Sequence, residues 1–311
     1  MSDEPLGSPP VRRVVAWLPL VFLVAACGGE AADPVDATSP VAPTSAVAVD
    51  PEVTASEPTT APEPTAAPTT SPVSDPPADL LGQELVGRWA HYDVVAYEDG
   101  VLKTLIISYG FNDFSVDDGQ IIDSAQFCFS EQRTDQPIET SLSDAATQAI
   151  RPPSTPVEVD VVDGVLRIQR SATPTPVGIR LDDPANEPLP TDPDDPRIVD
   201  DDGDGNPGIT VTIRVSDDLI GELYIARREI FAYEAFLVEP DLITGTVTDD
   251  SEQLVIGVSD PVFAGSGAEW VQHPDLTKSP IILRRVESDW DCDRLVAERD
   301  ALFPPTPDVD W

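Results

Sequence analysis

The chain has 311 residues, 34 prolines, and 57 acidic against 18 basic residues, so its formal charge is -39. A surface this acidic repels nucleic-acid phosphates and anionic lipid headgroups, which argues against nucleic-acid binding and against electrostatic adsorption to a membrane. The length allows one or two folded domains.

Residues 1–26 have the pattern of an export signal. Arg12 and Arg13 form a positive region, and the apolar run 14–26 follows them. A helix that spans a bilayer needs about 20 apolar residues. This shorter run is therefore typical of the apolar region of a signal peptide and not of a membrane-spanning helix.

The signal ends in the sequence Leu-Val-Ala-Ala-Cys at residues 23–27. This ending resembles the lipobox of bacterial lipoproteins, in which small residues precede an obligatory cysteine. The resemblance implies that the Cys27 thiol receives diacylglycerol and that cleavage occurs just before it. The implied location is the cell envelope outside the cytoplasm, with the membrane as partner through the lipid. Gly28 is not an aspartate retention signal, so the outer membrane is expected if the host has two membranes.

Residues 27–82 are expected to form a disordered tether. Between Gly28 and Gly82 the chain consists mainly of Ala, Pro, Thr, Ser and Val and contains no aromatic or basic residue. Such a segment cannot bury enough apolar area to offset the entropy cost of ordering it. The prolines favour an extended polyproline II conformation that lifts the folded domain off the membrane. The same composition would also suit an O-glycosylated stalk.

Residues 83–311 are expected to form the folded domain. They hold 46 of the acidic and 16 of the basic residues, which leaves a charge of about -30 on this part. Runs of alternating apolar residues separated by turn residues predict strands. The predicted strands are 85–96, 102–109, 126–132, 157–162, 165–170, 208–215, 221–225, 230–238, 242–248, 253–258 and 281–286. The predicted fold class is mostly β, an antiparallel barrel or sandwich with one or two short helices.

Two short helices are predicted in the same region. One covers 141–150, with Ser143 as a candidate N-cap, and the other covers 292–302 and is stopped by Pro304. With Cys27 lipidated, Cys128 and Cys292 remain as a pair in an exported domain, where disulfides persist. We therefore predict a disulfide between Cys128 and Cys292, although two separate buried thiols would also fit the sequence.

The segment 200–208 is a candidate metal site. Asp200, Asp202, Asp204 and Gly205 follow the spacing D-x-D-x-D-G, in which alternating carboxylates of a tight turn can converge on one hard cation. This resembles the opening half of an EF-hand loop. However, a valine stands at the twelfth position in place of the bidentate glutamate, and no flanking helices are predicted. We expect calcium at Asp200, Asp202 and Asp204, with the backbone carbonyl of Asn206 as a further candidate ligand. The alternative is a solvated acidic turn.

Gly87-x-Trp89 at the first predicted strand is similar to the start of lipocalin-type barrels. The resemblance implies an antiparallel barrel whose floor is closed by Trp89. A tryptophan in a first strand is, however, more often a plain core residue than the mark of a ligand-binding barrel.

Catalysis has little support in the sequence, and no catalytic residue is predicted. His91 and His273 are the only histidines, too few for a histidine-based zinc site without carboxylates. Gly265-Ser266-Gly267 lacks the spacing of a nucleophile elbow. Three hypotheses follow: a non-catalytic envelope lipoprotein with a calcium-stabilised β-domain of structural or binding role, a lipocalin-like carrier of a small apolar ligand, and an envelope hydrolase.

Overall fold

The computed structural model describes residues 81–98, 102–265 and 270–311. The predicted signal peptide lies outside these residues, as does the predicted tether apart from Leu81 and Gly82. The strands are Gly87–Glu98 (β1), Lys103–Asp117 (β2), Gln120–Thr134 (β3), Glu139–Leu142 (β4), Thr155–Val162 (β5), Val165–Arg170 (β6), Thr175–Val177 (β7), Ile209–Ser216 (β8), Leu219–Glu229 (β9), Phe231–Glu239 (β10), Leu242–Asp249 (β11), Glu252–Val258 (β12) and Pro280–Arg285 (β13). The helices are Asp144–Gln148 (α1) and Cys292–Leu302 (α2), with 3-10 turns at Pro261–Phe263 and Leu276–Lys278.

Eight of the strands close into an antiparallel barrel. Around the barrel their order is β1, β2, β3, β5, β6, β10, β11 and β13, and β13 pairs again with β1. Taken in chain order, each barrel strand pairs with the next one, so the barrel has up-and-down connectivity. The closing pair brings Trp89 of β1 opposite Arg285 of β13.

The other five strands form a second sheet in the order β12, β9, β8, β4, with β7 pairing β9 beside β8. We call the barrel end where β1 begins at Gly87 the lower end, and the opposite end the upper end. Because neighbouring strands alternate in direction, β3, β6 and β11 all finish at the upper end. The connections that contribute the second sheet therefore all leave the barrel there, whereas the chain enters β1 at the lower end.

Strand β1 is buried on both faces, which explains its nearly unbroken run of buried residues. Trp89, Val95 and Tyr97 belong to the apolar cluster inside the barrel. On the outer face, Tyr92 stacks on Phe303 with ring centroids 5.5 Å apart. The outer surfaces of β1, β2 and β3 are thus covered by α2 and the segment that follows it.

Helix α2 is joined covalently to the barrel. The structure contains the predicted disulfide between Cys128 of β3 and Cys292, the first residue of α2, with a Cα–Cα distance of 5.3 Å. The Asp291 side chain caps the helix by accepting a hydrogen bond from the Arg294 backbone N–H at 2.9 Å. Leu295 is the fully buried residue of the helix and packs on the outer barrel face.

The predicted fold class is confirmed, because the chain folds as antiparallel sheets with two short helices. The predicted helix 292–302 has the observed bounds, and Ser143 caps α1 through a 3.0 Å hydrogen bond from the Ala146 N–H. The first helix was predicted to start too early, since Ser141 and Leu142 lie in β4 and pair with β8. Strands β4 and β7 were not predicted.

Candidate functional site

The acidic loop predicted as a metal site lies between β7 and β8. The connection folds back across one face of the second sheet, where Ile179 pairs with Ile198 and Asp200 with Gly208. Gly203 and Gly205 have positive φ values of 75° and 92°, a conformation that favours glycine. These two glycines allow the tight turn that holds the alternating aspartates on one side.

Asp200, Asp202 and Asp204 converge as predicted. Each offers a carboxylate oxygen, and the three oxygens lie within 4.8 Å of one another. Asp200 accepts the N–H groups of Gly203 and Gly205, at 2.7 and 2.9 Å. These bonds fix the turn from within, as they would in a preformed cation site.

Asp202 and Asp204 are held by the start of β8. Asp202 Oδ2 accepts the Thr210 N–H at 2.9 Å, and Asp204 Oδ2 accepts the Thr210 hydroxyl at 2.5 Å. The other oxygen of Asp202, Oδ1, is buried and has no hydrogen-bond partner. An unsatisfied buried carboxylate oxygen is costly without a cation or a proton.

The electrostatics of the loop agree with this geometry. Burial raises the pKa of Asp202, the Thr210 N–H opposes that shift, and repulsion from Asp204 adds to it. The pKa of Asp204 is lowered, because hydrogen bonds from Thr210 and Asn206 outweigh its burial. A bound cation would stabilise the ionised form of both carboxylates.

Asp201 and Asn206 make further contacts within the loop. Asp201 anchors the loop, since it accepts the Gly178 N–H at 2.7 Å and forms an ion pair with Arg180 at 2.5 Å. Asn206 donates its backbone N–H to Asp204 at 2.8 Å. In the part of the chain that the structure describes, the convergent group does not include the other nearby acids, which are Asp192, Asp194, Asp195 and Asp217.

The Gly-x-Trp motif lies at the lower end of the barrel. Trp89 is fully buried and donates its indole N–H to the Leu85 carbonyl at 2.8 Å. The Arg285 guanidinium stacks on the indole, 4.2 Å from the ring centroid. Arg285 also donates hydrogen bonds to the carbonyls of Val86 and Glu84. These contacts close the lower end around the entering chain.

The barrel interior contains a hydrogen-bonded polar chain that was not predicted from the sequence. His91 Nδ1 donates to Asn112 Oδ1 at 2.8 Å, and His91 Nε2 lies in hydrogen-bond contact with Asp93. Asn112 donates its amide group to both oxygens of Asp123, at 2.7 and 2.9 Å. Since Nδ1 carries a proton toward Asn112, a second proton lies between His91 and Asp93.

Asp123 terminates this chain inside the barrel. It accepts the Tyr233 hydroxyl at 2.9 Å and pairs with Arg170, whose Nε lies 3.2 Å away without the alignment of a hydrogen bond. Burial raises the pKa of Asp123, and the charge of Arg170 opposes that shift. Burial likewise raises the pKa of Asp93, against the hydrogen bond from His91.

The burial of this polar chain limits the chemistry that it can perform. The side chains of His91, Asp93, Asp123 and Arg170 are between 0 and 2% exposed. A substrate could reach them only by displacing packed side chains, among them Phe127 and the other aromatic residues around His91. The arrangement is that of a buried network whose members pair with one another, apart from the unbonded Arg170 Nε, and it fixes the packing of the barrel interior.

His273 lies in a local turn, and most of the Gly-Ser-Gly sequence lies outside the described residues. His273 Nδ1 accepts the Asp275 N–H at 3.1 Å in a local turn. Ser266 lies outside the described residues. The only sequence sign of the interior network was the polar pair His91 and Asp93 on the same face of an apolar strand.

Among the residues that the structure describes, no helix is long and apolar enough to cross a membrane. Comparison of the chain with family models, with curated proteins and with solved structures found no match.

Proposed function

We propose that this protein is an envelope lipoprotein whose non-catalytic β-domain is stabilised by calcium at Asp200, Asp202 and Asp204 and has a structural or binding role. The observation that carries the calcium site is the convergence of three carboxylate oxygens within 4.8 Å, beside a buried oxygen of Asp202 that has no hydrogen-bond partner. Carboxylate oxygens in a glycine-containing turn are the ligands that calcium prefers.

The layout of the domain supports a role in display. The chain enters at the lower end of the barrel, next to Gly87, whereas the second sheet and its acidic loop derive from connections at the upper end. A chain that is attached through residues before β1 is therefore joined to the domain at the barrel end opposite the connections that contribute the second sheet.

The barrel interior supports a non-catalytic role. Its polar groups pair with one another at almost zero exposure, and its apolar groups pack into one cluster that includes Trp89, Tyr233 and Phe114. The surfaces of the domain, and not its interior, are then the parts available to a partner.

The calcium site is tested by calorimetry of the purified chain in millimolar calcium and in EDTA. Modules outside the cytoplasm typically bind calcium with dissociation constants of about 10⁻⁴ to 10⁻³ M. At 100 times the dissociation constant, calcium would stabilise the fold by about 2.7 kcal/mol. Asp202→Asn/Asp204→Asn should abolish this shift, whereas the matched exposed-turn control Asp118→Asn/Asp163→Asn should retain it. An equal melting temperature in calcium and in EDTA would contradict the calcium site.

The anchor is tested separately by Cys27→Ser. The wild-type mature chain should begin at Cys27 and partition into detergent with membranes, and the variant should remain an unprocessed precursor. Normal processing and membrane partition of the variant would refute the lipoprotein assignment.

A lipocalin-like carrier is the second candidate function, favoured by the up-and-down connectivity of eight barrel strands and by Trp89 at the closed lower end. A ligand inside this barrel would have to displace residues of the interior cluster. Saturable quenching of tryptophan fluorescence by a long-chain fatty acid, at one molecule per chain, would favour this candidate over a structural role.

A further inference from the structure

An open groove of about 390 Å³ lies beside the second sheet, where the end of β3 approaches the end of β8. Its charged residues are two arginines and two acids, and two neutral polar residues lie beside them: Arg133, Arg214, Glu139, Asp217, Gln136 and Ser216. Because β3 ends at the upper end of the barrel, the groove lies away from the entry of the chain. Its volume falls within the range of small-molecule pockets.

Arg133 lacks a close ionic partner. Its nearest carboxylate is that of Glu131, at 3.6 Å. Glu131 is already bound by Arg299, whose Nη1 lies 2.6 Å from its other oxygen. Since one carboxylate is shared by two guanidinium groups, the positive charge of Arg133 is only partly neutralised.

Arg214 is also weakly paired. Its Nε lies 3.6 Å from Glu139, a carboxylate whose side chain is 81% exposed and therefore strongly screened by water. By contrast, Arg88 binds Asp113 through two hydrogen bonds, at 2.9 and 2.8 Å. Within the described residues, neither Arg133 nor Arg214 donates a hydrogen bond.

We propose that this groove binds a small anion that carries at least two negatively charged oxygens, such as a phosphate or a dicarboxylate. The two arginines supply planar donor forks, which match such oxygens, and the amide of Gln136 and the hydroxyl of Ser216 supply neutral groups beside them. The charge of -39 on the whole chain opposes anions in general, and so do the carboxylates of Glu139 and Asp217 in the groove. A singly charged anion that contacts one exposed arginine gains too little binding free energy to offset this repulsion. A ligand that contacts both arginines replaces two weak ion pairs with stronger ones.

The proposal is tested by equilibrium dialysis of the full chain against labelled inorganic phosphate and, in a second arm, labelled succinate. Ionic strength is held constant with sodium chloride, and EDTA is present so that the result does not depend on calcium at the acidic loop. We expect saturable binding of one anion per chain in at least one arm, and the arm with the tighter binding identifies the ligand class.

The variant Arg133→Gln/Arg214→Gln should bind the same anion at least about tenfold more weakly. Both side chains are about half exposed, at 56 and 44%, so the variant should keep the wild-type melting temperature. Arg284→Gln is the matched control, because it removes an equally unbonded arginine from β13 and should leave binding unchanged. The proposal is overturned if neither anion saturates the wild-type chain, or if the double variant binds as tightly as the wild type.

Discussion

Removal of the Cys128–Cys292 disulfide should destabilise the domain by several kcal/mol. The two cysteines are 164 residues apart in sequence. A crosslink that closes a loop of that length lowers the entropy of the unfolded chain, and this raises the free energy of the unfolded state by about 5 kcal/mol. Measured losses on removing native disulfides are about 2–5 kcal/mol. For a domain of about 150–250 residues, each kcal/mol corresponds to roughly 2–4 °C in melting temperature.

The measurement is urea unfolding of the wild type, oxidised and reduced, and of Cys128→Ser/Cys292→Ser. We expect the reduced wild type and the double variant to agree, with a lower free energy of unfolding and a larger dependence on urea, because an uncrosslinked unfolded chain exposes more surface. A loss below about 1 kcal/mol in both would refute the reasoning. It would mean that the unfolded chain is already constrained in this region or that the crosslink strains the folded state.

Two further predictions concern the barrel interior and its lower end. Burial raises the pKa of Asp93, so the folded state keeps a proton on this carboxyl to a higher pH than the unfolded state does. The stabilisation from this proton is fully present below the unfolded-state pKa near 3.9 and is lost as the pH rises through the higher folded-state pKa. The free energy of unfolding should therefore fall as the pH rises above about 3.9. Asp93→Asn should make that profile less steep, with the remaining slope coming in part from Asp123, whose pKa burial also raises. Asp163→Asn in an exposed turn should leave the profile unchanged. Parallel profiles for Asp93→Asn and wild type would count against the buried proton. Arg285→Ala removes the stacking on Trp89 and the hydrogen bonds to the carbonyls of Val86 and Glu84, and should cost about 2–4 kcal/mol in urea unfolding. Arg285→Lys keeps the charge but not the planar guanidinium, and its free energy of unfolding should lie between those of the wild type and the alanine variant. An unchanged stability of the alanine variant would show that the lower end is closed without Arg285.

Local sequence patterns predicted the long elements of the fold well. The Asp-Gly turn at 163–164 predicted the β5–β6 hairpin, and Asp163 and Gly164 both have the positive φ values that such a turn requires. The C-terminal bound of α2 followed from the proline after it, whereas its N-cap, Asp291, was not predicted. The predicted second strand was too short, because β2 continues through Gly110, where a bulge brings the strand against the carbonyl of Gln126.

The short strands could not be predicted because their stability comes from pairing and not from their own sequence. Strand β7 has three residues, one of them Pro176, and exists through its pairing with β9. The predicted helix took in Ser141 and Leu142, the second half of strand β4, since four residues carry no clear period. The assignment of strands to a barrel and a second sheet likewise depends on pairings between residues far apart in the chain.

The candidate site residues also differ in whether the sequence could predict them. The acidic loop was visible because its candidate ligands are close together in sequence, and the structure brings Asp200, Asp202 and Asp204 together. The interior network joins β1, β2, β3, β6 and β10, so its members are scattered over more than 140 residues and share no motif. The groove beside the second sheet likewise combines residues from distant strands.

The closing pair of the barrel also constrains how the chain matures. Trp89 of β1 meets Arg285 of β13, and at about 5–20 residues per second of synthesis the partner appears roughly 10–40 s later. During that interval the edge of β1 that pairs with β13 has no partner strand, and Cys128 remains a free thiol until Cys292 has been made. The other cysteine of the chain is Cys27, which is made first and could capture Cys128 in a wrong disulfide. Thioether formation at Cys27, as proposed, would remove this competitor from the exported chain, so the lipid anchor would also protect the fidelity of oxidative folding.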